Sequence, residues 1–306
     1  MKYQRDAFID VIYDRACKDK EIFFLSADFG APALDKFRQN LPENFIHLGI
    51  AEQNMIDVAI GLSIAGKKVF TYAMAPFISL RCAEQHKLAA MMQLPIVNIV
   101  AGVGLGYANA GPTHYATEDL GLFFGYPNAE VYTASDSFSA GLIAESLIDK
   151  PHFAFVRLDR DKCEDLEGFS PLDFEAGYRI FGSGKKACVI SHGYLLAHLK
   201  AKLNSNLIEQ VTLVDAFRCK GNIDKFTELF SNFSCFLFID EQINGSDLGT
   251  YMLEKVPPLT PIASVRKMSL KSKYYFLNTG RDALLSEGGL SIESIEESLA
   301  DLLMNA

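Results

Sequence analysis

Short apolar runs alternate with segments of helical periodicity along the first half of the chain, and this alternation limits the fold more than any other feature. Runs such as 21–28 (EIFFLSAD), 67–73 (KKVFTYA) and 94–102 (LPIVNIVAG) have the length and composition of buried strands. Between them, 51–65 and 78–93 space their apolar residues as helices do. The alternation predicts an α/β fold, with an open, doubly wound, mostly parallel sheet and helices on both faces.

A second series of the same kind follows a charged, glycine-containing stretch without clear period. This stretch, 161–186, is interpreted as a linker. The sequence therefore predicts two domains of similar architecture, 1–160 and 187–306, each long enough to bury a core. Strands of the second domain are expected at 187–193, 210–216 and 234–242.

Composition argues against several classes of protein. The 306 residues are 49% hydrophobic and 22% charged, with a formal net charge of −9. An acidic chain is a poor nonspecific ligand for nucleic acid, so no such partner is expected. No apolar run suits a membrane span, no signal peptide is evident, and six cysteines are scattered without a C-x-x-C pair. These features favour a cytoplasmic protein with reduced thiols and no membrane partner.

Two short motifs resemble nucleotide-binding sequences without their context. Residues 28–30 spell the Asp-Phe-Gly of protein kinases, but no H-R-D or V-A-I-K segment accompanies them, so a kinase is rejected. The glycine-rich loop 102–106 lacks the third glycine of a dinucleotide fingerprint, because Tyr107 occupies that position. A flexible strand exit is the favoured interpretation. The six histidines lack metal-ligand spacing, so no metal site is predicted on this chain.

Three other segments could carry chemistry. In 47–54 (HLGIAEQN), Glu52 begins a helix directly after a strand and a glycine turn, where ligands bind in open α/β sheets. The same position also suits a carboxylate that only stabilises the helix N-terminus. In 72–77 (YAMAPF) an aromatic residue stands at a strand-to-helix junction, and taken alone this position favours ordinary core packing. The glycine-rich segment 104–114 ends in Gly-Pro-Thr-His and brings His114 to the sheet edge.

Taken together, these segments resemble the thiamine-diphosphate enzymes of the transketolase family in their order and, apart from a slightly longer glycine loop, in their spacing. The resemblance covers nearly the whole chain. It identifies 1–160 with the pyrimidine-binding domain and, on a vaguer pattern, 187–306 with the family's C-terminal domain. It implies thiamine diphosphate as the cofactor and transfer of a two-carbon ketol unit between sugars, expected to be phosphorylated, as the activity.

The resemblance also implies roles for single residues. Glu52 corresponds to the glutamate that hydrogen-bonds the ring nitrogen of the cofactor's aminopyrimidine, where a desolvated carboxyl can share a proton. Phe77 corresponds to the aromatic residue that stacks on this ring. His114 corresponds to the histidine that contacts the substrate oxygen near the reacting carbonyl, where it can polarise that oxygen or move a proton. Asp28 matches an aspartate near the thiazolium, and His47 is expected to line the pocket.

Arginines are the remaining candidates, because a guanidinium binds phosphate through a bidentate fork. Arg5 corresponds to a family arginine that binds substrate phosphate. Arg157 and Arg160 both stand at the end of the strand predicted over 151–158, where the family has another phosphate-binding arginine, and the sequence does not distinguish them. Surface charges near a linker would give the same pattern.

The family's metal-binding motif, Gly-Asp-Gly followed by an asparagine, is absent from the sequence. The resemblance therefore implies a separate N-terminal transketolase subunit that carries the diphosphate-binding domain. That subunit would hold most of the ligands of Mg²⁺, or of another divalent ion, on the cofactor. Because the family's cofactor bridges domains from different halves of a dimer, self-association and an α2β2 heterotetramer are expected.

Two departures from the family leave the substrate open. Ala110 precedes Gly-Pro-Thr-His, where transketolases and deoxyxylulose-phosphate synthases have an aspartate expected to read a sugar hydroxyl. Leu80 stands where the synthases have an arginine. The sequence therefore leaves open an unusual sugar or a 2-oxoacid as the donor. The first alternative is a β-type subunit of a 2-oxoacid decarboxylase or dehydrogenase, or an acyloin-forming enzyme. A noncatalytic transketolase-like scaffold is the second, although the retained Glu52 argues against it.

Overall fold

The computed structural model describes residues 2–27, 31–221, 223–256, 262–277 and 279–304. Within them, two mostly parallel sheets are covered by helices, which confirms the α/β fold. The strands are β1 (Ile22–Ser26), β2 (Phe45–His47), β3 (Lys68–Met74), β4 (Ile96–Ala101), β5 (Glu130–Thr133), β6 (Ala154–Leu158), β7 (Arg179–Phe181), β8 (Ala187–Ser191), β9 (Val211–Asp215), β10 (Arg218–Lys220), β11 (Cys235–Ile243) and β12 (Ser264–Leu270).

The helices pack on these sheets with apolar faces inward. In chain order they are α1 (Gln4–Ala16), α2 (Asp35–Asn40), α3 (Glu52–Ile64), α4 (Ala75–Arg81), α5 (Ala83–Met91), α6 (Asp119–Phe124), α7 (Ser137–Asp149), α8 (Pro171–Ala176), α9 (Gly193–Lys202), α10 (Ser205–Ile208), α11 (Ile223–Asn232), α12 (Leu248–Leu253), α13 (Arg281–Gly288) and α14 (Ile292–Met304). Short 3₁₀ turns occur at Pro32–Leu34, Ala108–Ala110 and Pro112–His114.

The first sheet has the strand order β10-β5-β6-β4-β3-β1-β2, and all its strands except β10 run parallel. Every residue of the central strand β4 is buried, because helices cover both faces of the sheet. The register aligns the carboxyl ends of the strands: Ser26 lies beside His47 and Tyr72, and Ala101 lies beside Leu158. The segments that follow β2, β3, β4 and β6 therefore leave from one edge.

The second sheet has the order β12-β11-β8-β9-β7, with β7 antiparallel to β9. The stretch 161–186, expected to be a linker, contains helix α8 and this edge strand. Both elements are short, at six and three residues, which explains why no period was visible in the sequence. Ser170 caps α8, and Gly177 ends it in the left-handed conformation. The domain boundaries at 160 and 187 stay a prediction.

Strand β10 comes from the second half of the chain but completes the first sheet by pairing with β5. Its Arg218 Nη2 donates to both oxygens of Glu130 at 2.7 Å, and His152 Nε2 lies 3.1 Å from Glu130 Oε2. This part-buried ion cluster fixes the edge of the first sheet to a segment that follows β9. The sequence did not predict β10, because three residues with two basic side chains carry no strand pattern.

The ion cluster around Glu130 makes the stability of the chain depend on pH in the acid range. Burial raises the pKa of Glu130, but the contacts with His152 and Arg218 outweigh it and lower the pKa from 4.5 to about 2. Because the folded pKa is depressed, the stabilisation is complete above about pH 4.5 and is lost as the pH falls through about 2. We expect urea unfolding to show a loss of about 2 kcal/mol over this window, after allowance for the partial exposure of the cluster.

His152 changes the stability with pH in the opposite direction to Glu130. Burial lowers the pKa of His152, but the ion pair with Glu130 raises it above the ordinary value of 6.5. Its stabilisation is therefore present below pH 6.5 and is lost as the pH rises through the folded pKa. The variant Glu130→Gln should flatten both limbs of the stability profile. An acid limb of the same depth in wild type and variant would contradict this account.

Candidate active site

The candidate site begins where β2 passes into α3. The backbone turns between the two elements through a hydrogen bond from Ala51 N to Gly49 O of 2.8 Å, and Glu52 is the first helical residue. A carboxylate is stable there, because the helix N-terminus carries partial positive charge. The Glu52 side chain is nevertheless only 5% exposed, which is rare for an ionisable group and is typical of a functional one.

Arg81, the last residue of α4, binds Glu52 from one side. Its Nη1 donates to Glu52 Oε2 at 2.9 Å, and its side chain remains 47% exposed. The Arg81 guanidinium lies over the Phe77 ring, 4.2 Å from the centroid. Within the described residues, Glu52 Oε1 has no hydrogen-bond partner. Arg81 was not among the residues predicted from the sequence, although its spacing of four from Phe77 on a helix could have indicated the contact.

Phe77 also connects to the glycine-rich segment. The ring of His114 meets the Phe77 ring edge-on, with centroids 5.3 Å apart at 73°. His114 ends the 3₁₀ turn Pro112–His114, and its Nδ1 lies 3.0 Å from Thr113 Oγ1. The structure therefore brings Glu52, Phe77 and His114, which are far apart in sequence, into one continuous set of contacts through Arg81.

Arg5 and Arg160 line a cavity of about 180 Å³ beside this set, together with Tyr72, Tyr107 and Asp159. The Arg160 guanidinium lies over the Tyr107 ring at 4.8 Å, and the Tyr107 and His114 centroids are 6.3 Å apart. Arg5 Nε and Nη2 contact Asp6 Oδ1, both at 2.8 Å. Tyr107 therefore connects His114 to a cavity that presents two cations.

The glycine at the start of the loop makes room for the aromatic wall of this cavity. Gly102 has a φ of +78°, and a Cβ there would lie 1.9 Å from the Tyr107 ring. No other residue type fits without displacing Tyr107. The glycine-rich loop is therefore more than the flexible strand exit that its sequence suggested, because it is required by close packing.

Arg157 occupies a different environment from Arg160. It is 1% exposed, and Nε and Nη2 donate to the two oxygens of Asp119 at 2.8 and 3.1 Å. Its Nη1 donates to Thr133 Oγ1 at 3.0 Å. All three guanidinium nitrogens are thus engaged inside the fold, and the residue is absent from the lining of the cavity that holds Arg5 and Arg160.

Two further residues were predicted to belong to the site, His47 and Asp28. His47 ends β2 with its ring exposed at the same edge as Glu52. Asp28, together with Phe29 and Gly30, lies outside the described residues. Across the described ranges, no group of three or more His, Cys, Asp or Glu side chains is arranged to hold a metal ion. Helices in the same ranges are too short or too polar to cross a membrane.

Comparison with known proteins gives the family. Residues 3–164, more than half of the chain, match the transketolase pyrimidine-binding domain. The protein belongs to this family, as its sequence motifs indicated. The matched region contains the first sheet from β1 to β6 and every contact between Glu52, Arg81, Phe77 and His114.

Several relatives are single subunits of transketolases. One of them, from an apulose-4-phosphate transketolase of Phocaeicola vulgatus, is 29% identical over 175 residues, 56% of either chain. The 6-deoxy-6-sulfo-D-fructose transketolase subunit SqwH from a Clostridium species is 35% identical over 158 residues, 51% of this chain and 49% of the relative. The present chain thus spans about half the length of these curated relatives.

A solved structure shares the whole fold. A split-gene transketolase, described as an inactive beta4 tetramer, superposes with a TM-score of 0.82 over 99% of this chain and 98% of that chain, at 23% identity. This likeness establishes that both sheets, and not only the matched family region, belong to a transketolase-type architecture.

Proposed function

We propose that this chain is the C-terminal subunit of a thiamine-diphosphate-dependent transketolase, a transferase that is active only with a separate N-terminal subunit. The observation that carries the proposal is the buried Glu52 carboxylate, joined to Phe77 and His114 through Arg81 at the edge of a transketolase-family domain. Relatives that are named as transketolase subunits support it.

The residues present fit the aminopyrimidine of the cofactor. Glu52 Oε2 is held by Arg81, which leaves Oε1 as the acceptor for a protonated ring nitrogen. The half-buried Phe77 ring offers an apolar face on which a heteroaromatic ring would stack. Glu52 would thus hold a proton at the ring nitrogen while Phe77 fixes the ring plane. The cofactor, when bound, supplies the nucleophilic carbon that attacks the donor carbonyl.

His114 would act on the substrate oxygen. Because Thr113 Oγ1 engages Nδ1 at 3.0 Å, Nε2 is the ring nitrogen left for the substrate. An imidazole in that position can polarise a carbonyl oxygen or move a proton to it at neutral pH. The edge contact with Phe77 would keep the imidazole beside the ring that stacks on the cofactor.

Arg5 and Arg160 are the proposed ligands of an anionic group at the far end of the substrate, since both line the cavity whose Tyr107 ring contacts His114. We assign Arg157 a structural role instead, because Asp119 and Thr133 occupy its guanidinium nitrogens. Ala110 offers no side chain that could read a sugar hydroxyl. Tolerance of an unusual anionic sugar follows, and relatives named for apulose 4-phosphate and a sulfonated deoxyfructose support it.

A partner surface next to the site supports the split-subunit proposal. Ile50, two residues before Glu52, is 71% exposed, and Leu80, which precedes Arg81, is 52% exposed. Apolar side chains exposed beside a functional group favour cover by another chain. The proposed N-terminal subunit would hold Mg²⁺ on the diphosphate and complete an α2β2 heterotetramer. A cytoplasmic location is part of the proposal, supported by six free cysteines.

Reconstitution tests the proposed function. Purified chain and a candidate N-terminal subunit that contains Gly-Asp-Gly are assayed singly and mixed, with phosphorylated ketoses, a sulfonated ketose and a 2-oxoacid as donors. We expect ketol transfer only in the mixture and only from a ketose. Decarboxylation of the 2-oxoacid without ketol transfer would favour the decarboxylase alternative, and activity in neither case would favour a scaffold.

A further inference from the structure

The carboxyl end of β11, in the second sheet, holds both ends of the loop that carries His114. Glu241 Oε2 accepts a hydrogen bond from Leu105 N at 3.0 Å, and Gln242 Nε2 donates to Ala116 O at 3.0 Å. The next residue along β11 also binds this region, through a hydrogen bond of 2.9 Å to the carbonyl of residue 117. The loop 104–116 therefore rests on the second sheet at its two ends.

Arg281, the first residue of α13, in turn fixes Glu241. Its Nη2 and Nε donate to the Glu241 carboxylate at 2.8 and 3.1 Å. The same guanidinium forms a bidentate pair with Asp159, both bonds 2.8 Å long, and reaches Asp161 at 3.0 Å. Its Cζ lies 3.7 Å from the centroid of the Tyr194 ring. One buried arginine thus joins three carboxylates from both halves of the chain.

These contacts end on the two parts of the candidate site that would face substrate. Asp159 and Asp161 flank Arg160, so the bonds from Arg281 fix the backbone on either side of that residue. Through Glu241, Arg281 also fixes Leu105 at the start of the His114 loop. We propose that Arg281 is a positioning residue that sets the loop 104–116 and Arg160 for substrate, an inference that rests on the proposed function.

The close fit of the loop against Glu241 supports this role. Gly104 has a φ of +58°, and a Cβ there would lie 2.3 Å from Glu241 Oε2. The loop backbone therefore lies directly against the carboxylate that Arg281 orients. A displaced Glu241 would release Leu105 N. Side-chain bulk alone would not replace a guanidinium here, because the fork geometry is what holds three carboxylates together.

Hydrogen exchange on the isolated full-length chain tests the positioning. In Arg281→Met we expect the amides of Leu105, His114 and Ala116 to exchange at least about tenfold faster, while the amides of β3 and β4 change less than about twofold. Arg266→Met is the matched control, because Arg266 lies on β12 of the second sheet, pairs with Asp301 at the surface and donates to Ser298 O, away from the loop 104–116. Unchanged exchange in the loop, or equal acceleration throughout the chain, would overturn the inference.

A second variant covers the case in which Arg281→Met does not fold. Glu241→Gln keeps an oxygen acceptor for Leu105 N but loses the charge that binds Arg281, so the loop amides should exchange about threefold to tenfold faster. Loop exchange at the wild-type rate in this variant would contradict the inference.

Kinetics of the assembled enzyme separate positioning from a general structural effect. Arg281→Lys keeps the charge but loses the fork, and should raise KM for the phosphorylated donor about tenfold with thiamine diphosphate affinity unchanged within about twofold. Equal losses of donor and cofactor affinity would indicate a structural role only. If the wild-type enzyme shows no ketol transfer, the proposed function is wrong. Hydrogen exchange on the isolated chain would still test whether Arg281 positions the loop 104–116.

Discussion

The kcat of the assembled enzyme for ketol transfer is expected to fall at least about a thousandfold in the variant Glu52→Gln. Glutamine has the size of the glutamate and can accept the hydrogen bond from Arg81, so the set of contacts through Phe77 should persist. An amide cannot, however, hold the ionic hydrogen bond to a protonated ring nitrogen. The loss should therefore appear in kcat, measured by coupled assay of the ketol product, while association with the N-terminal chain is unchanged.

A matched control separates this effect from a general loss of acidic charge. Glu84 lies in the first turn of α5 with its side chain exposed, and Glu84→Gln should keep kcat within about twofold of wild type. Sedimentation of both variants with the N-terminal subunit should give the wild-type assembly. If Glu52→Gln retained most of its activity, the assignment of Glu52 to the cofactor would be wrong.

Arg157→Leu is expected to lower the free energy of unfolding by about 3–5 kcal/mol, because it leaves a buried carboxylate unpaired. Asp119 is 1% exposed, and both of its oxygens bind Arg157. Unfolding in urea measures this loss. The double variant Arg157→Leu/Asp119→Leu should recover much of it, since removing both charges abolishes the unpaired group.

The neighbouring Arg160 should behave in the opposite way. It is exposed at the cavity, so Arg160→Leu should change the free energy of unfolding by no more than about 0.5 kcal/mol. The same change should raise KM for a phosphorylated donor at least about tenfold, because a charge-assisted bond to the anion is lost. A raised KM in Arg157→Leu, with an unaffected KM in Arg160→Leu, would reverse the assignment.

The helices and strands that were predicted correctly are those in which burial in the fold requires a recognisable apolar pattern. β4 is apolar along its length because helices cover both faces, and that pattern can be read directly. The segment 78–93 was expected to be one helix, but the structure has α4 and α5, which meet at Cys82, and α4 already begins at Ala75. The short edge strands β7 and β10 were missed, because their positions depend on partners elsewhere in the chain.

Site residues could be predicted from the sequence where a short motif contains them. Glu52, Phe77 and His114 lie in recognisable segments, and the structure brings them together. The distinction between Arg157 and Arg160 was not predictable, because it depends on Asp119, which lies 38 positions from Arg157 in sequence. Arg281 could not be predicted for the same reason, since its partner Asp159 lies 122 positions away in sequence and no motif contains either residue.

Equilibrium titration with thiamine diphosphate and Mg²⁺ tests the central claim most directly, namely that this chain supplies only the pyrimidine half of the cofactor site. The chain alone, the N-terminal subunit alone and their mixture are titrated under the same conditions by calorimetry. We predict that the mixture binds the cofactor at least about a hundredfold more tightly than either chain alone. Tight binding by this chain alone, with no gain from the second subunit, would contradict the account.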